Sequence, residues 1–311
     1  MQIGLMMRSG NNSGSGAITA HRWSELREMA ILAEDIGVDT LGAPDHLLFR
    51  NAPPTVTLPE VETRGIWECF TLMTALAAAT KRVTLLPLVA CTTFRNPALL
   101  AKIADSLDEV SEGRLLLGLG AGWHEPEYQA YGFPFDHRVS RFEEALQIII
   151  PMLKGESVTF SGQYYAVNEA QLVPRGPRPG GPPIWIGARK PRMLGLVAKY
   201  ADAYNTDMLL NLDDTKAAED LLAIVDGACE KAGRDPSTIL KTSGCLLGLE
   251  GWQDVPGGPP EVILHGSNEQ IIEKLAGYAA VGIEHFTFWL HPWTLKSVER
   301  LAPIVEAAHK M

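Results

Sequence analysis

Asp45-His46 sets an imidazole beside a carboxylate. A neutral histidine poised near pH 7 can accept the proton of an alcohol while the attached carbon loses its hydride. His46 is therefore a candidate general base and Asp45 a candidate for orienting it; a histidine simply hydrogen-bonded in a loop is the competing reading. Farther along, Gly118-Leu119-Gly120-Ala121-Gly122 is small enough at Gly120, Ala121 and Gly122 for backbone to approach a cofactor closely. Trp123 could stack on such a group or wall its pocket, although aromatic residues more often fill cores. Glu125 lies near enough to supply a second acid; the competing reading is a solvated loop carboxylate. In Gly187-Ala188-Arg189-Lys190-Pro191-Arg192, Pro191 suits the first turn of a helix. Backbone N–H groups and positive side chains there suit a phosphate, and a solvated basic turn is the alternative.

Such groups need a frame, and short β-rich runs alternate with amphipathic segments along the whole chain. Strands are expected at Gln2–Met6, Asp39–Leu41, Val83–Val89, Arg114–Leu119, Ile184–Ile186, Ala203–Asn205, Ile239–Leu247 and His285–Phe288. Helices are expected at His21–Ile36, Glu68–Ala79, Pro97–Val110, Arg138–Leu153, Pro191–Tyr200, Thr215–Ala232, Asn268–Ala280 and Leu295–Ala308. Lys154–Pro183 and Gly248–Gly266 break the rhythm and are candidate lid segments or ordinary surface loops. The Gly/Ser-rich Ser9–Gly16 follows the first strand. This alternation fits a closed (β/α)8 TIM barrel with insertion loops, but also a doubly wound open sheet. The glycine run is a weak dinucleotide fingerprint, because Trp123-His124-Glu125-Pro126 does not open a helix with a third small residue.

With 311 residues, 46% hydrophobic and 21% charged, the chain is expected to form a single barrel domain over 1–311 with one large core. Its charge, 27 − 37 = −10, disfavours attraction to nucleic acid or an anionic membrane. Small molecules and further copies of the chain are the expected partners. Cys69, Cys91, Cys229 and Cys245 form no C-x-x-C pair and read as buried thiols. The opening residues lack a signal-peptide layout, and no apolar run reaches roughly 18 residues, so a cytoplasmic protein is expected. There is no H-E-x-x-H and no G-x-S-x-G. A metal-dependent barrel hydrolase using Asp45, His46 and a distant histidine stays open, as does a noncatalytic cofactor-binding protein.

Gly113-Arg114-Leu115-Leu116-Leu117-Gly118-Leu119-Gly120-Ala121-Gly122-Trp123, continuing through Glu127-Tyr128 and Tyr131-Gly132, resembles the luciferase-like monooxygenase superfamily, particularly its deazaflavin-dependent branch. Pro44-Asp45-His46, Thr93-Phe94-Arg95-Asn96-Pro97, Gly162-Gln163-Tyr164-Tyr165, Ile184-Trp185-Ile186-Gly187-Ala188 and Tyr200-Ala201-Asp202-Ala203 agree in order. The resemblance covers most of residues 1–206 and thins afterward. It implies a barrel holding coenzyme F420, or alternatively FMN, at the C-terminal strand ends, commonly as a homodimer. It also implies a bulge in strand three with a non-proline cis peptide, matching Leu88-Val89, against one face of the ring. In the resembling dehydrogenases the acid matching Asp45 lies near the ring, and the histidine matching His46 acts on the substrate proton.

The cofactor-binding set implied is thus Asp45, Leu88, Val89, Gly120, Ala121, Gly122, Trp123, Gly187, Ala188 and Arg189, with Arg175 and Arg178 available to an acidic glutamyl tail. Resembling enzymes that act on a sugar phosphate carry an acid about where Trp123 stands, and this sequence departs from them there. The implied reaction is hydride transfer between a small organic substrate and C5 of the deazaflavin. A carbon at that position activates oxygen poorly, which favours dehydrogenation or reduction. The FMN alternative is a two-component monooxygenase fed by a separate flavin reductase.

Overall fold

The structure, a computed structural model, describes residues 1–12, 19–52, 61–209, 212, 214–249 and 263–311. Parallel strands covered by helices must be apolar on both faces, and strands Thr40–Ala43 and Leu117–Gly120 are buried at every residue. The wall comprises β1 (Gln2–Met6), β2 (Thr40–Ala43), β3 (Thr84–Pro87), β4 (Ala90–Cys91), β5 (Leu117–Gly120), β6 (Ile184–Gly187), β7 (Ala203–Met208), β8 (Leu240–Gly248) and β9 (His285–His291). Side by side they run β3-β2-β1-β9-β8-β7-β6-β5-β4, and the paired neighbours are parallel. β3 and β4 are two pieces of one wall strand. Leu85 of β3 bridges Leu115 just before β5, which brings the ends of the series together into a TIM-barrel-like wall.

Helices surround the wall at Trp23–Asp35, Cys69–Ala79, Pro97–Val110, Arg138–Leu153, Pro191–Tyr200, Lys216–Lys231 and Asn268–Ala280. Local chemistry fixes their starts. The Asn96 side chain accepts the Ala98 and Leu99 N–H groups ahead of Pro97, and Glu68 accepts those of Phe70 and Thr71. None of the helices among the described residues is long and apolar enough to cross a membrane.

Four local expectations change. Strand three is split around Leu88-Val89 instead of running through Val83–Val89. The closing helix is two, Leu295–Glu299 and Ala302–Ala308, because Pro303 has no N–H for the preceding turn. A helix does open after Trp123, at Glu125–Tyr131, with Pro126 in its first turn and Gly132 ending it at φ 75°. Three antiparallel strand pairs were not anticipated, Leu48–Ala52 with Val61–Gly65, Val158–Ser161 with Ala166–Ala170, and the short Asn11–Asn12 with Thr19–Ala20. The second lies inside the candidate lid Lys154–Pro183, and Glu144 binds it by accepting the Gln163, Tyr164 and Tyr165 N–H groups. Of Gly248–Gly266, the strand Ile263–His265 pairs with β8, and residues 250–262 lie outside the described residues, as do 13–16 of the Ser9–Gly16 stretch.

Inside the wall, glycines make room for large neighbours. A Cβ on Gly42 would stand 2.4 Å from the Met6 sulfur, and one on Gly244 2.7 Å from the Trp289 ring. His285 fills the space above Gly4, its Nε2 lying 3.0 Å from Thr40 Oγ1 and its ring edge-on to Trp185 at 5.0 Å. Complete burial lowers its pKa from 6.5 to about 4. The unfolded chain therefore binds a proton here that the folded chain refuses between those two pH values, and stability must fall as pH drops through that window. The expected loss from this group is about 1.4 kcal/mol per pH unit. Urea unfolding of wild type and His285→Gln between pH 7 and 4.5 checks it: the stability advantage of the wild type should shrink by that slope.

Candidate active site

A cleft of about 920 Å³ opens at the C-terminal ends of the strands, where barrel side chains converge from different strands. Asp45 and His46 line it from the end of β2, Leu88 and Val89 from the break between β3 and β4, and Gly120, Ala121, Gly122 and Trp123 from the end of β5. Gly187, Ala188 and Arg189 complete the set from the end of β6. Glu125 does not line it. That residue is exposed on the short helix, its carboxylate accepting from Gln129 Nε2 at 3.2 Å. The acid that reaches the site is Glu127, two residues later.

Glu127 is 1% exposed and sits 2.8 Å from His46 Nδ1, while its other oxygen accepts the Leu47 N–H at 2.8 Å. A buried carboxylate makes Nδ1 the protonated nitrogen and leaves Nε2 with the acceptor lone pair. Phe49, at 4.4 Å, and Trp123, at 5.5 Å edge-on, flank the imidazole. Trp123 is 56% exposed, so it walls the cleft and fills no core. The signal for Glu127 was available in the sequence: Pro126 marks a helix start, and residues 125 and 127 of a helix face apart.

Asp45 belongs to a different network. Arg95 grips it with both ends of its guanidinium, Nη1 to Oδ2 at 2.6 Å and Nη2 to Oδ1 at 3.0 Å, and also binds Glu68. Oδ2 further accepts the Cys91 N–H at 2.9 Å. Burial raises the Asp45 carboxyl, opposed by Arg95 and the Cys91 N–H. Burial also works against the Arg95 charge, but Asp45 and Glu68 more than offset it and its pKa moves up. Three of the Asp45 carboxylate's acceptor sites are thus taken by Arg95 and the Cys91 N–H. Asp45 ties β2 to the segment after the break in strand three.

The Leu88–Val89 peptide is cis, at the position the resemblance pointed to. The glycines after it have a reason the sequence did not disclose. A Cβ on Gly120 would meet Val89 Cγ2 at 2.4 Å, and one on Gly118 the Pro87 carbonyl at 2.1 Å, so both make way for the broken strand. Gly122 has φ +72°, and the space beside it holds the Tyr128 hydroxyl and Cys91 sulfur. Those two atoms lie 2.9 Å apart, and burial pushes the Cys91 thiol up to about 11, which keeps it protonated at neutral pH. Arg138 braces the same turn by donating to the Gly122 carbonyl at 3.0 Å while stacking over Phe135.

On the β6 side, Arg189 Nη2 donates to the Met208 carbonyl at 3.1 Å, and Lys190 is the residue capping the helix Pro191–Tyr200. Both line the cleft. Arg192 is turned away, pairing with Glu143 at 2.8 Å. Arg175 and Arg178 do not reach the site. Arg178 binds Asp108 and the Leu115 carbonyl near the start of β5, and Arg175 donates to the Leu153 and Pro179 carbonyls. They fasten the 171–183 loop, and no residue of 154–183 lines the cleft.

The family model described as luciferase-like monooxygenase matches residues 1–245. Among curated relatives, a 5,10-methylenetetrahydromethanopterin reductase of Archaeoglobus fulgidus is 28% identical over 82% of this chain and 73% of its own. An F420-dependent glucose-6-phosphate dehydrogenase of Microbacterium testaceum is 32% identical over 70% of this chain and 63% of its own, under two thirds of that relative. Two solved structures share the fold. An F420-dependent secondary alcohol dehydrogenase, in complex with an F420-acetone adduct, superposes with TM-score 0.79 at 19% identity over 99% of this chain and 98% of its own. A riboflavin lyase with modified FMN gives TM-score 0.79 at 14% identity over 99% of this chain and 91% of its own. Named relatives thus include oxidoreductases and monooxygenases, some of them F420-dependent.

Proposed function

Because the chain belongs to the luciferase-like monooxygenase family, we propose that it is a coenzyme F420-dependent oxidoreductase moving a hydride between a small organic substrate and C5 of the deazaflavin. The observation that carries this reading is His46, held by buried Glu127 at 2.8 Å with its second nitrogen left for a substrate.

The cleft's residues fit a ring cofactor. Its volume of about 920 Å³ lies within the range of cofactor sites. Leu88 and Val89 offer an apolar floor at the cis break, and a Cβ on Gly187 would meet nothing nearer than 3.9 Å. The N-terminus of the helix Pro191–Tyr200, beside Arg189 and Lys190, suits a phosphate, which F420 and FMN both carry. When bound, the deazaflavin supplies the two-electron acceptor for the hydrogen that leaves the substrate carbon.

This chain's residues do the rest. His46 Nε2 takes the hydroxyl proton as the C–O bond becomes a carbonyl, or returns it in the reverse direction. Glu127 holds the tautomer that makes this possible and stabilises the imidazolium that results. Trp123 and Phe49 shield the imidazole on two sides. Asp45 and Arg95 position the break in strand three on which a ring would rest.

The test is turnover. Protein loaded with reduced F420 and given a panel of ketones should restore the oxidised absorbance equally well with and without air. Oxygen uptake that requires reduced FMN from a separate reductase would instead favour the monooxygenase alternative.

A further inference from the structure

The two sides of the cleft differ in chemistry. Basic groups gather at the ends of β5 and β6, where Arg138, Arg189 and Lys190 stand. Across the mouth, at the ends of β8, β9 and β1, the lining is Leu246, Trp289, Leu290, Trp293, Met6 and Met7. Polar groups on that side are Arg8, Ser9, His291 and the Trp293 N–H. Arg8 and His291 have partners of their own. The Ser9 hydroxyl and the Trp293 N–H, both buried and both neutral, have no hydrogen-bond partner among the described residues. His46 stands at the end of β2, next to β1, and borders this side.

We infer that the β8–β9–β1 side is the substrate subsite and that it takes a neutral, largely apolar alcohol or ketone, its oxygen toward His46 and its hydrocarbon body against Leu246 and Trp289. The inference rests on the oxidoreductase reading for which atoms react, but the selectivity it asserts is one of binding. A carboxylate or phosphate seated against Leu246, Trp289 and Leu290 would lose its water to apolar side chains, which disfavours an anion there. Each buried methylene of a neutral ligand instead strengthens binding by about 0.8 kcal/mol, roughly fourfold.

Calorimetry and tryptophan fluorescence with acetophenone and with its anionic counterpart, 4-acetylbenzoate, test this on the protein with and without F420. Acetophenone should bind at least about tenfold more tightly than 4-acetylbenzoate. Its Kd should rise about tenfold in Trp289→Leu, and severalfold in Leu246→Ala should the first variant fold poorly. Equal or tighter binding of 4-acetylbenzoate, or an acetophenone Kd unmoved by either substitution, overturns the inference. If the neutral ketone binds with this selectivity yet reduced F420 never reduces a ketone, the oxidoreductase reading fails and the subsite stands.

Discussion

His46→Ala is expected to lower kcat/KM for ketone reduction by about 10²–10⁴-fold, the usual worth of a positioned general acid or base. Cofactor affinity should stay within a few-fold of wild type, because the imidazole contributes a proton site and little contact area. Glu127→Gln separates positioning from chemistry. Its amide can occupy the same space, but it carries no charge to stabilise the imidazolium and can present an N–H where Nδ1 needs an acceptor. A loss of about 10–100-fold in kcat with KM nearly unchanged is expected. Glu125→Gln should leave both constants alone, since that side chain is exposed and outside the cleft. Steady-state kinetics on the three variants, with far-UV dichroism to confirm folding, decides between the two glutamates.

Arg95→Met is expected to produce the largest loss of stability of any single site-adjacent substitution, about 3–5 kcal/mol, because it strands a buried carboxylate. Asp45 is fully enclosed and Arg95 11% exposed, so water cannot replace the guanidinium without opening the strand break. The remaining donor to Asp45 would be the Cys91 N–H. Adding Asp45→Asn should recover a large share of the loss, since the uncompensated charge is then gone. Arg95→Lys should recover less, because an ammonium cannot reproduce the two-pronged grip while also binding Glu68. Denaturant unfolding of Arg95→Met, Asp45→Asn and the double variant measures the coupling, with Arg95→Lys compared on the same scale.

The wall and its helices were legible because most strands are short apolar runs and several helices open on a recognisable start signal. Pro97 after Asn96 and Pro191 after Lys190 mark two of them. The hairpins were not legible. Their strands are brief and partly exposed, as at Ala166–Ala170, so no alternation stands out from loop composition.

At the site, residues of the family motif line one cleft at the strand ends, but their roles depend on geometry that spacing does not carry. Asp45 reads as a reactive acid until Arg95, 50 positions away, is seen to hold both its oxygens. Gly120 reads as room for a cofactor; it lines the cleft, but the space a Cβ would take there is filled by Val89. Arg175 and Arg178 read as anion ligands until the carbonyls and Asp108 they bind come into view. Long-range pairing is invisible in one sequence, and apart from the local Arg175–Pro179 bond each of these corrections rests on a long-range pair.

Most of this chemistry depends on which ring the mouth of the barrel selects. The direct measurement is an absorbance-monitored titration of the purified apoprotein with F420 and, separately, with FMN. The deazaflavin should bind at least about tenfold more tightly, a difference of about 1.4 kcal/mol. Tighter binding of FMN, or saturable binding of neither, would contradict the account.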